Sequence, residues 1–116
     1  MPEDWARPVV HWEIEAKDAD AMGKFYGELF NWKVGEGRVK NLSPGIGAPE
    51  TITGHIRGGE ASGVILYIQV LDLATTLQKT KELGGDVLRE PFQPEGQPTL
   101  AWIADPEGNR VVLVQQ

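Results

Sequence analysis

The chain repeats itself, and the repeat restricts its fold more than any other feature. Shifted by 54 positions, Asp18 falls on Asp72, Ile14 on Ile68, Glu28-Leu29 on Glu82-Leu83 and Val34 on Leu88. Identities are few, but in both halves an aspartate stands between an apolar run and a helical period. The pattern reads as strand, capped helix and three short strands, twice over. A half of roughly 55 residues cannot bury a sufficient core alone, so the two halves are expected to share one. The expectation is a single α+β domain over 1–116, with module one at about 8–60 and module two at about 63–115, each βαβββ.

Local patterns fill in the elements. From His11 the chain alternates, with His11, Glu13 and Glu15 on one face and Trp12, Ile14 and Ala16 on the other. Asp18 is placed to cap a helix whose Met22, Phe25, Tyr26, Leu29 and Phe30 recur at three- and four-residue spacing, the mark of a face turned to the sheet. Residues 32–35 read as a short strand, with further strands around Val39 and Ile52–Ile56 and a mobile loop over 41–50 between them. Residues 64–70 form the clearest strand, and Asp72 caps a second helix carrying Leu73, Leu77, Thr80 and Leu83, ended by Gly84-Gly85. A strand over Asp86–Arg89 follows. A final hairpin pairs Thr99–Ala104 with Arg110–Val114 across Asp105-Pro106-Glu107-Gly108-Asn109.

Composition excludes several classes of function. The net charge is −6, with 17 acidic against 11 basic residues, the wrong balance for neutralising nucleic-acid phosphates. No apolar run approaches the ~20 residues of a membrane-spanning helix, and no basic segment precedes an apolar one as in a secretory leader. A cytoplasmic protein without nucleic-acid or membrane partners is therefore expected. With no cysteine, disulfides, thiolate metal sites and thiol nucleophiles are all ruled out. The glycines at 58, 59 and 63 lack the Lys-Ser/Thr of a phosphate loop.

The segments HWEIEAKDADAMGKFYGELFNWKV (11–34) and LAWIADPEGNRVVLVQQ (100–116) resemble the vicinal oxygen chelate superfamily of glyoxalases, bleomycin-resistance proteins and extradiol dioxygenases. The resemblance implies a curved mixed sheet forming a cup, helices outside, and usually a homodimer. It also implies one divalent metal, held by His or Gln on first strands and Glu on last strands. Carried over residue by residue, the ligand positions read His11, His55, Ile65 and Val112, the Glu positions being occupied by His55 and Val112. Two imidazoles without a carboxylate suit neither oxygen-favouring ions nor the three-ligand site of a catalytic zinc. Glu13 stands ~7 Å along the strand from His11 and is far for shared coordination.

The expectation is therefore a metal-independent protein that binds or sequesters a small organic ligand and has no cofactor. The alternative is a metal-dependent glyoxalase-like lyase or isomerase, or a dioxygenase, using His11 and His55 with one Zn, Ni, Mn or Fe. Without a metal, both histidines would serve as hydrogen-bonding or proton-transferring groups. The candidate cavity has a polar wall of His11, Glu13 and His55 and a more apolar wall of Ile65, Tyr67, Trp102 and Val112, with Trp32 a further aromatic face. Glu13 and Glu15 would attract a cationic ligand or stand as a solvated strand face.

Overall fold

The computed structural model describes residues 6–43 and 52–115. Its elements are β1 (Val9–Ala16), α1 (Ala19–Phe30), β2 (Lys33–Val34), β3 (Val39–Ser43), β4 (Thr53–Gly58), β5 (Gly63–Gln69), α2 (Leu73–Glu82), β6 (Asp86–Phe92), β7 (Thr99–Ala104) and β8 (Arg110–Gln115). This is βαβββ twice, an α+β fold with mixed sheet pairing. The chain divides into two compact units, residues 11–65 and residues 66–116 joined by the first ten.

In the first unit β1 runs parallel to β4, and β4, β3 and β2 follow antiparallel. Asp18 caps α1 as expected, its Oδ1 accepting from the Ala21 N–H at 3.0 Å. The stripe assigned to the buried face of α1 behaves differently. Phe25, Leu29 and Phe30 are 53%, 59% and 53% exposed, and the buried helix residue is Gly23. The helix approaches the strands at that glycine, where the Val34 and Lys40 side chains close in, so the seam is set by its smallest residue. Tyr26 stacks on Trp32 at 5.5 Å and Trp32 meets Trp12 at 5.7 Å. Trp32 therefore belongs to an aromatic cluster with α1 and is not a wall of the candidate cavity. Trp12 lies across the strand from Gly54, and a Cβ there would fall inside its indole ring.

In the second unit β5 runs parallel to β8, and β8, β7 and β6 follow antiparallel. Asp72 caps α2, accepting from the Ala74 N–H at 3.1 Å and the Thr75 hydroxyl at 2.8 Å. Val70, Leu73, Leu77, Ala101 and Leu113 make the core, with Ile68, Val87, Ile103 and Val111 packed against it. Leu66, on the same strand face as Ile68 and Val70, is exposed; Leu83 is exposed because the helix stops one residue earlier. The strand expected over Asp86–Arg89 continues to Phe92, through irregularities in its pairing with β7. In the β7–β8 turn, Asp105 accepts from the Glu107 and Asn109 N–H groups and from the Asn109 amide, at 2.8–2.9 Å. These bonds, the Asn109 side chain foremost, hold its carboxyl below the usual range, and Gly108 takes the left-handed conformation the turn needs (φ +90°). Of the loop expected over 41–50, residues 41–43 are strand and the rest lies outside the described residues.

Candidate functional site

Because β1 and β4 run parallel in register, His11 stands opposite Thr53, Glu13 opposite His55 and Glu15 opposite Arg57. Period-two alternation turns these six side chains to one face and leaves Trp12, Ile14 and Ile56 on the other. This polar face is buried, whereas the polar side of a half-buried strand usually faces water; the opposite face, with Ile56 at 0% and Ala16 at 3% exposure, is buried as well. Glu13 is 2% exposed and Glu15 6%, and His55 is 7% exposed, whereas Ile14 is only partly buried.

Buried charge at this depth must be paired, and here the side chains pair in a line. The Thr53 hydroxyl lies 2.7 Å from His11 Nδ1, and His11 Nε2 lies 2.6 Å from His55 Nδ1. His55 Nε2 lies 2.8 Å from Glu13 Oε1. On the other carboxylate oxygen, Glu13 Oε2, the Arg57 guanidinium donates from Nε at 3.0 Å and from Nη2 at 2.9 Å. The same Nη2 stands 3.5 Å from Glu15 Oε1, and the Ala61 N–H reaches Glu15 Oε2 at 3.4 Å. Room for Glu15 comes from Gly59, where any Cβ would strike the carboxylate.

One carboxylate fixes the direction of the hydrogen bonds. Ionised Glu13 only accepts, so His55 Nε2 donates to it. With a single proton on His55, its Nδ1 accepts from His11 Nε2–H and His11 Nδ1 accepts from the Thr53 hydroxyl. Burial, helped by the neighbouring His55 and opposed by Glu13, lowers the His11 pKa to about 4. At neutral pH His11 is therefore an uncharged imidazole, partly exposed, at the outer end of the line.

The sequence-derived candidates divide between the two units. His11, Glu13 and His55 come together as bonded neighbours in the first. The close approach of the imidazoles is the feature that a metal-free polar pair requires. Ile65, in the same unit, is buried. In the second unit Tyr67 pairs with Val112, and Val112 with Trp102, so these three form a row across β5, β8 and β7. That row faces away from the core formed with α2, to which Ile68, Ala101 and Leu113 belong. Trp102 also packs edge-on to Phe92, with the Arg89 guanidinium over both rings. Glu13 and Glu15 are not a solvated face; Arg57 already supplies the cation they face. Sequence reasoning missed Thr53, Arg57 and Gly59. Arg57 was legible in principle, two residues after His55 and so on its face.

A metal would need these same donors. Two nitrogens bound to one zinc at ~2.0–2.1 Å in tetrahedral geometry stand roughly 3.3 Å apart, and the imidazole nitrogens here, at 2.6 Å, share a proton instead. Both Glu13 oxygens are engaged as well. Among the described residues no group of three or more His, Cys, Asp or Glu is arranged to hold a metal ion. In this arrangement the residues present do not fit a divalent ion. A cleft of about 560 Å³ lies elsewhere, at the start of α1, lined by Lys17, Asp18, Asp20, Arg38 and Lys40, and shares no residue with the imidazole line. No helix among the described residues is long and apolar enough to cross a membrane.

The model of the glyoxalase-like domain matches residues 11–114. The chain belongs to that family. Among solved structures it is similar to a hypothetical protein of Bacillus halodurans C-125, with a TM-score of 0.67 and 13% identity, over 97% of this chain and 96% of that one. A glyoxalase/bleomycin resistance protein/dioxygenase superfamily member of Vibrio splendidus 12B01 gives 0.67 and 16%, over 96% of this chain and 100% of that one. The methylmalonyl-CoA epimerase of Mycobacterium tuberculosis gives 0.62 and 16%, over 92% of this chain and 86% of that one. No curated protein matches. At these identities the likeness establishes the glyoxalase/bleomycin resistance/dioxygenase fold, and the superfamily resemblance read from the sequence holds for this glyoxalase-like domain; the fold does not select a chemistry.

Proposed function

We propose that this glyoxalase-like protein binds a small organic molecule without a metal. The observation that carries the reading is the 2.6 Å contact between His11 Nε2 and His55 Nδ1. It commits to each other the two nitrogens that a metal-dependent relative would direct at the ion. His11 then offers a ligand an uncharged, partly exposed imidazole edge, with the exposed Thr53 hydroxyl beside it. In the second unit, taken by itself, Tyr67, Val112 and Trp102 form an aromatic and apolar row. The reading includes a single domain built of two modules, a cytoplasmic location and a homodimer, the last supported by the exposed Phe25, Leu29 and Phe30 of α1.

The test is a fluorescence titration with a planar aromatic amine such as proflavine, run with and without EDTA, beside metal analysis of the purified protein. The expected result is saturable binding that EDTA leaves unchanged and that His11→Ala weakens. Binding or turnover that appears only with a divalent ion and disappears in EDTA would overturn the reading in favour of a metal-dependent lyase, isomerase or dioxygenase.

A further inference from the structure

We infer that Arg57 stands in for a metal: its guanidinium is the cation of this site, and by holding Glu13 it keeps the β1–β4 strand pair from gathering a divalent ion. The inference rests on the metal-free reading above and asks what enforces it. Two buried carboxylates on one strand face call for positive charge. Arg57 supplies it from the strand position directly opposite Glu15, reaching Glu13 through two nitrogens and Glu15 through one. An arginine cannot lose its proton at any ordinary pH, so this cation is permanent and covalently attached.

The guanidinium also determines what remains for the histidines. With Oε2 taken by Arg57, Glu13 presents Oε1 to His55 Nε2. That bond orients the ring so that Nδ1 meets His11 Nε2. Each bond in the line therefore depends on the one nearer Arg57. Without the guanidinium, the face would hold two imidazoles and a carboxylate freed to turn from their present bonds toward one ion, donor types that suit Zn²⁺, Ni²⁺ or Co²⁺. The site is a latent metal site closed by its own counter-ion, and Arg57 is a positioning residue within it.

Arg57→Met removes the charge and keeps most of the apolar stem. Isothermal titration with Zn²⁺ and Ni²⁺, paired with metal analysis after dialysis, compares it with the unaltered protein. The expected result is no stoichiometric ion in the unaltered protein and one per chain in Arg57→Met. Affinity should tighten by roughly 10–100-fold, the scale on which a group that engages a ligand carboxylate alters metal affinity. The gain should be lost again in Arg57→Met with Glu13→Gln or with His55→Ala.

One ion per chain in the unaltered protein, lost on His11→Ala, would overturn both this inference and the metal-free reading. A folded Arg57→Met that takes up no ion would overturn the inference alone. If Arg57→Met does not fold, ¹⁵N spectra of the unaltered protein decide. Millimolar Zn²⁺ is expected to leave the Arg57 Nε–H and both imidazole signals in place, and their displacement would overturn the inference.

Discussion

The two modules place the same strand pair at the same register and fill it with opposite chemistry. In module one the pair Glu13–His55 is charged and hydrogen-bonded; in module two the matching pair is Tyr67–Val112. The offset is 54 residues on the first strand and 57 on the last, the second because the connections between differ in length. On the helix side the bulk is redistributed as well. Trp12 lies over Gly54 in module one, whereas Leu66 pairs with Val111 in module two. The duplication thus fixes backbone geometry and leaves the polarity of each wall to individual residues. The polar wall of this protein is an affair of one module.

The largest expected effect breaks the bulk exchange. Gly54→Ala puts a methyl into the Trp12 ring and should cost at least ~3 kcal/mol in urea unfolding, while Val111→Ala, a plain truncation, should cost about 1–2 kcal/mol. Close behind comes the charged pair. Glu13→Ala leaves His55 and Arg57 facing an empty acceptor site and should cost about 3 kcal/mol. In the matching pair of module two, Val112→Ala, at the position that answers to His55, should cost about 2 kcal/mol. Equal losses at Glu13 and Val112 would mean that the polar wall is solvated and not buried.

A smaller effect follows from pH. His11 titrates near 4 in the folded chain against 6.5 unfolded, so between those values the unfolded chain binds more protons. Stability should fall as the pH drops from about 6.5 to 4, by about 1–2 kcal/mol once the half-exposure of the ring is allowed for. His11→Gln should remove that slope, and nothing in module two should reproduce it. The smallest contrast is between the helix caps. Asp18→Ala and Asp72→Ala should each cost about 1 kcal/mol, and a marked inequality would show that one helix leans more on its packing than on its cap.

Most of the fold was legible because periodicity and caps are local signals. The alternation from His11 and both capping aspartates each fixed an element within a residue or two. The failures came where tertiary packing overrides pattern. Phe25, Leu29 and Phe30 have the spacing of a buried face, but α1 seats itself on Gly23, and a glycine leaves no mark in an apolar period. For the site, Glu13 was readable from strand alternation beside His11, and His11 and His55 were singled out by the ligand positions that the superfamily resemblance implies. Their bonding was not readable, because it depends on the parallel register of β1 with β4, set by a connection of more than 35 residues. The burial of Glu13 and Glu15 was likewise hidden, since an alternating polar face ordinarily reads as solvent-facing.

The central claim is that the donors of module one are spent on one another. ¹⁵N shifts of the two imidazoles at neutral pH test it most directly, because they report which ring nitrogen carries each proton. The account requires the proton of His11 on Nε2 and that of His55 on Nε2, with a deshielded His11 Nε2–H that disappears in His55→Ala. Finding His55 protonated on Nδ1 with Nε2 bare toward Glu13, or both rings carrying the shifts of metal-bound imidazole, would contradict it.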